Sequence, residues 1–219
     1  MKKSVYSLVL SEDVVAAVDR LAYRQNTNRS NMINQILAEY VSYTTPEKRM
    51  HEVFDRIEGI LTAEDAFQLL LQPSETLLSL RSALAYKYNP TVRYAVELYR
   101  TAENGIGELR VSLRSQNATL LYALSRFFSV WADTEARYLG ITDSAMEDGK
   151  FVRRLYLRSL DGGAVPALSG EQLGEVISAY IRAFDGALKA FFYHADGSLS
   201  AEETEIRYRN YLAGQRYTV

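Results

Sequence analysis

The run SVYSLVL at residues 4–10 constrains this chain more than any other stretch. β-Branched and aromatic residues fill it, which suits an extended strand better than the start of a helix. Helix signals follow at once in SEDVV, so no second strand lies close enough in sequence to pair with it. A lone strand leaves a full row of N–H and C=O groups unpaired and is not stable alone in water. The sequence therefore predicts a strand that something beyond its own neighbourhood must complete.

Ser11 is placed to cap a first helix, with Glu12 and Asp13 favouring the positive end of its dipole. Val14, Val15, Val18, Leu21 and Ala22 then recur at helical spacing. The pattern stops at the polar turn Gln25, Asn26, Thr27, Asn28, where Asn26 suits the left-handed conformation that ends a helix. A second helix begins at or just after Asn28, with Met32, Ile33, Ile36, Leu37, Tyr40 and Val41 on its apolar face. Pro46 closes the unit because it cannot continue the hydrogen-bond ladder.

The order strand, helix, turn, helix over residues 3–43 resembles the ribbon-helix-helix family of DNA-binding proteins, the Arc and MetJ type. The resemblance rests on the Leu10, Ser11, Glu12 junction and on the apolar positions Val14, Val15, Val18 and Leu21. It also rests on the turn through Asn26, Thr27, Asn28, Arg29 and Ser30, and on Met32, Ile33, Ile36, Leu37 and Tyr40. It implies that the strand pairs antiparallel with its copy in a second subunit, and that this two-stranded ribbon lies in the major groove. Forty residues bury too little apolar surface alone, so such a dimer is needed for folding as well as binding.

Side chains alternate across a strand. Within the resemblance, Tyr6, Leu8 and Leu10 face the helices and join Val18, Leu21, Ile33, Ile36 and Leu37 in a dimer core. Val5, Ser7 and Val9 face the bases, and Lys2 and Lys3 extend the ribbon toward phosphate. The family commonly presents polar side chains at the outer positions; here only Ser7 can hydrogen-bond a base edge, while the two valines suit thymine methyl groups. Asn28, Arg29 and Ser30 stand at the start of the second helix, where free N–H groups and the dipole favour a backbone phosphate. Asn28 and Ser30 are also what an ordinary helix start looks like.

Beyond Pro46 the sequence predicts a mainly α-helical domain over residues 46–219, following the 1–45 module. Helices are expected over 47–71, either continuous or broken near Gly59 or restarted at Thr62, and over 75–87, 117–140, 143–160, 170–194 and 200–212. A β-hairpin is expected at about 91–115, where Val92, Tyr94, Val96 and Leu98, then Leu109, Val111 and Leu113, alternate with polar residues around Asn104 and Gly105. The first of these runs also fits a helix. The aromatic stripes Tyr122, Phe127, Phe128, Trp131, Tyr138 and Phe184, Phe191, Phe192, Tyr193 suit helix–helix packing better than a cofactor pocket. Arg153, Arg154 and Arg158 suit a solvated face or an anion site, and Glu202, Glu203 and Glu205 compensate the dipole of the last helix.

The 219 residues are 47% hydrophobic and 24% charged, a composition that can build a core. Without cysteine, neither disulfides nor thiolate metal sites can form, which fits a reducing cytoplasm. His51 and His194 have no ligand spacing, so neither a metal nor a cofactor is expected. No secretory signal and no membrane span is expected. Residues 1–50 carry seven Lys or Arg against five Asp or Glu, a balance of +2, and the remainder carries −4 to give the net −2. That tilt alone does not point to nucleic acid. No phosphate loop, serine elbow or metal motif appears, so no enzyme is expected.

The sequence thus leads to a homodimeric or tetrameric DNA-binding transcriptional regulator, a repressor, whose partners are double-stranded DNA, itself, and a small-molecule or protein effector at the helical domain. The alternative is an interaction, plasmid-maintenance or conjugation accessory protein that uses the N-terminal module for dimerisation.

Overall fold

The first regular element is a helix, not a strand. The computed structural model describes residues 5–41, 43–63, 66–70, 74–101, 104–140, 143–147, 149–193 and 201–219. Residues 5–10 form no strand: a ladder needs a partner, and the described residues of the single chain supply none. The chain divides into two compact units, residues 1–49 and 50–219.

The first unit is built on α1 (Glu12–Arg24) and α2 (Arg29–Tyr40). Their contact is small: Val18, Ala22 and Met32 are buried, with Leu21 and Ile33 packed against them. Ser11 occupies the N-cap of α1, yet its hydroxyl makes no cap bond; Glu12 and Asp13 match the dipole as the sequence suggests, and Arg24 stands in the last turn. Asn26 has φ 50°, the left-handed conformation expected of it.

The larger unit corrects the expectation of a mainly helical domain. Its centre is a six-stranded antiparallel sheet in the order β1-β2-β3-β4-β6-β5. These are β1 (Gln68–Leu69), β2 (Leu77–Ala83), β3 (Thr91–Leu98), β4 (Gly107–Leu113), β5 (Ser144–Glu147) and β6 (Lys150–Leu155). The hairpin of β3 and β4 is present, with Val92 opposite Leu113 and Leu98 opposite Gly107. Residues 77–83 are strand rather than helix, because Leu78, Leu80 and Ser82 face the core at period two while Arg81 and Ala83 are exposed. Residues 143–160 are not a helix either: they hold β5, β6 and β7 (Arg158–Ser159), the last pairing with β8 (Tyr217–Thr218).

The remaining helices are α3 (Pro46–Thr62), α4 (Ala118–Leu139), α5 (Gly170–Tyr193) and α6 (Ala201–Ala213). Pro46 takes the first turn of α3, and the Thr45 hydroxyl accepts from the Lys48 N–H at 3.2 Å. The helix runs unbroken through Gly59 and ends at Thr62, short of the predicted residue 71. Asn117 caps α4 by accepting from the Leu120 N–H at 3.2 Å. Ser169 and Gln172 cap α5 reciprocally: the Gln172 N–H donates to Ser169 Oγ at 3.1 Å, and the Ser169 N–H to Gln172 Oε1 at 3.0 Å.

The apolar faces of β2, β3, β4 and β6 share one core with the helices. Phe184 of α5 is the hub, with ring centroids 5.0 Å from Trp131, 5.3 Å from Phe127 and 5.4 Å from Phe151. The aromatic stripes do pack together there, except that Tyr122, Tyr138 and Tyr193 are exposed. The arginine cluster is not one solvated face. Arg153 is buried, and Arg154 pairs with Asp143 at 3.1 Å. Arg158 donates to the Leu139 carbonyl.

Candidate nucleic-acid interface

The residues singled out in the sequence fall in the first unit. Residues 5–10 present their side chains to solvent: Val5 is 99% exposed, Val9 101% and Tyr6 83%. Leu8 and Leu10 are also exposed, so none of the three inward-facing side chains expected of this segment is covered in the single chain. Lys2 and Lys3 lie outside the described residues, as does His194.

Of the expected dimer core, only Val18 is buried, and Leu21 and Ile33 are half-buried. Ile36 and Leu37 of α2 are exposed, and Tyr40 and Val41 stand out beside them. Exposed apolar side chains therefore occur both on residues 5–10 and along α2. An unusually small interior and a large apolar exterior mark an association surface.

The start of α2 brings Asn28, Arg29 and Ser30 together. Asn28 adopts an extended N-cap conformation, and its side-chain oxygen accepts from the Asn31 N–H at 2.9 Å. That bond engages one of the first-turn N–H groups that would otherwise face a phosphate. Arg29 does not point free into solvent. Its Nε donates to Asp19 Oδ1 at 2.7 Å and its Nη2 to Asp19 Oδ2 at 2.6 Å, a two-pronged bridge from α2 to α1. The Arg29 hydrogen bond holds the Asp19 carboxyl below its ordinary value, and Asp19 in turn raises Arg29.

Asp19 was not visible as a participant in the sequence. It lies ten residues from Arg29, and only the packing of the two helices brings them together. The pair is exposed, so its fork stays open to exchange with another anion. A guanidinium has five N–H donors, and Asp19 takes two of Arg29's. Arg20 and Arg24 line a surface depression on α1 together with Asp19 and Tyr23, which adds cationic charge beside the bridge.

In the larger unit the buried polar groups build structure. Arg153 Nε donates to Glu135 Oε2 and Arg153 Nη2 to the Val219 carbonyl at 3.2 Å. Tyr94 Oη donates to Asp185 Oδ1 at 2.9 Å, and Lys189 lies 2.7 Å from the other oxygen. His51 stands 3.5 Å from Asp55, one helical turn away. Among the described residues, no cluster of acidic or histidine side chains is arranged to hold a metal, and no helix is long and apolar enough to cross a membrane.

No protein-family model, curated protein or solved structure matches the chain.

Proposed function

We propose that this chain is a sequence-specific DNA-binding transcriptional regulator, a repressor, that acts as a homodimer through its N-terminal unit. What supports the reading is the incomplete core of that unit. Among the described residues the buried apolar cluster of that unit is only Val18, Ala22 and Met32, while Tyr6, Leu8, Leu10, Ile36 and Leu37 stand exposed for a second copy to cover. Dimerisation would set residues 5–10 of the two copies side by side at the major groove, where Val5, Ser7 and Val9 meet base edges. Asn28, Arg29 and Ser30 would then approach the flanking phosphates, with Arg29 exchanging some of its contact with Asp19 for a phosphate oxygen.

The second reading is an accessory interaction protein that uses the unit for dimerisation alone. The engagement of Arg29 by Asp19 favours it, because a committed guanidinium is a weaker phosphate ligand.

Two measurements on the full chain separate these readings. Sedimentation gives the dimer, which Leu8→Asp should dissociate. Fluorescence anisotropy against duplex DNA flanking the chain's own gene, with a scrambled control and two salt concentrations, gives the binding. A repressor should bind less tightly at higher salt, prefer the native flank, weaken with Arg29→Ala and lose its preference with Ser7→Ala. A verified dimer that binds neither duplex at low salt would overturn the DNA reading and leave the accessory one.

A further inference from the structure

The face of the sheet opposite the core it shares with α3, α4, α5 and α6 carries a cross-strand row that runs Gln68, Arg81, Arg93, Ser112, Lys150, Glu147. Arg81, Arg93 and Lys150 are exposed. Arg81 and Arg93 are direct partners on β2 and β3, where like charges repel. Neither finds a carboxylate among the described residues. Arg81 Nε donates to Gln68 Oε1 at 3.0 Å, and Arg93 Nη2 to Ser79 Oγ at 3.1 Å. Both guanidinium groups are thus held in place by neutral groups, with no carboxylate paired to either among the described residues.

The rest of the face is balanced. Arg110 bridges Glu97 at 2.8 Å and Glu108 at 2.6 Å, and Arg154 pairs with Asp143. Lys150 faces Glu147 across β5 and β6. The positive excess is concentrated at the arginine pair, with the Ser112 hydroxyl next in the row and Lys150 beyond it. Strand spacing puts Lys150 about 10 Å from the Arg93 position.

We propose that this row is a second DNA-contacting surface, seating backbone phosphates of a duplex on Arg81 and Arg93, with Lys150 at its end. Charge complementarity selects a polyanion: an oxyanion between the paired guanidinium groups removes their repulsion and takes the fork geometry that arginine offers to phosphate. Among the described residues the strand positions around Arg81 and Arg93 carry no aromatic side chain, and Tyr99, six residues along from Arg93 and just past β3, is turned to Glu108, so no base-stacking platform adjoins the arginine pair. The contact therefore adds affinity without reading sequence. The choice of duplex DNA as occupant rests on the DNA-binding reading of the chain, whereas the cationic row stands independently of the N-terminal unit.

The test compares the full chain with Arg81→Gln/Arg93→Gln and with a charge-matched control, Arg126→Gln/Arg216→Gln. Each is titrated by anisotropy against a duplex and a single-stranded oligonucleotide across a salt series, with thermal melting to verify folding. Loss of two phosphate contacts should make the slope of log affinity against log salt shallower by about 1.8 for duplex DNA, and leave the control unchanged. Equal slopes for the two double variants would overturn this surface while leaving the N-terminal reading intact if Arg29→Ala still weakens binding. A change seen with the single strand only would overturn the choice of a duplex. A drop for Arg81→Gln/Arg93→Gln with none for Arg29→Ala would support the sheet surface and overturn the N-terminal one. No DNA binding by the full chain would overturn both.

Discussion

Arg153 Nε donates to Glu135 Oε2 at 3.1 Å, with the two side chains 1% and 0% exposed. The strand β6 thereby sends a guanidinium into the core, and helix α4 meets it with a carboxylate. Burial pushes the Glu135 carboxyl above its ordinary value, and Arg153 offsets part of that rise. Glu135 Oε1 has no hydrogen-bond partner among the described residues, so the carboxylate is only half satisfied. Glu135→Ala would leave Arg153 buried and unpaired, at a cost of about 3–5 kcal/mol in urea denaturation. The double change Glu135→Leu with Arg153→Met should cost less than the single one, because it removes both charges together.

Phe184 touches the rings of Tyr94, Phe127, Phe128, Trp131 and Phe151. These rings come from two strands and α4, so one side chain on α5 joins the helical layer to the sheet. Phe184→Ala should destabilise the chain by about 3–5 kcal/mol, through lost burial plus the cavity left behind. Chemical denaturation read by Trp131 fluorescence reports it directly, since the two rings lie 5.0 Å apart.

Gly174 lies where α5 crosses α3: a Cβ there would sit 2.7 Å from the Arg56 Cβ and 2.9 Å from the Val53 carbonyl oxygen. Real side chains do not come that close, and the carbonyl belongs to a rigid helix. Gly174→Ala should therefore cost about 1–3 kcal/mol despite the better helix propensity of alanine. Gly186→Ala on the same helix, where a Cβ meets nothing within 4 Å, should instead be neutral or stabilising in the same thermal melt.

The Asp19 carboxyl is held down by its bond to Arg29. A carboxylate depressed in the folded state adds stability above its unfolded value, and that contribution is lost as pH falls through the lowered folded value. The first unit should accordingly loosen in acid below the ordinary aspartate range. NMR titration of Asp19 should show the low value, and Arg29→Ala should return it toward normal.

The hairpin of β3 and β4 was legible because its apolar residues alternate cleanly and Asn104 and Gly105 mark a turn. The leucines at 77, 78 and 80 fit either period, so β2 passed for a helix. In β6 the disguise is chemical. Phe151, Arg153 and Leu155 face inward, but the buried arginine reads as a solvent residue, and half-buried Val152 on the other face reads as core. The Asp148, Gly149 dipeptide was the signal available there, since that pair favours a hairpin turn. At the candidate interface, the Asn28 cap could be read locally because it acts three residues away. The Asp19 bridge could not, because helix packing alone creates it. The row through Arg81 and Arg93 was hidden for the same reason as β2.

The sheet begins and ends with its shortest members: β1 has two residues and β5 four, against seven and eight in β2 and β3. Outer strands this short give an incoming strand little backbone to zip onto, which is how natural sheets resist fibre growth and unwanted polymerisation. This domain can therefore be crowded against copies of itself without templating them. Assembly through this domain has to be driven by side chains, where single substitutions can tune it.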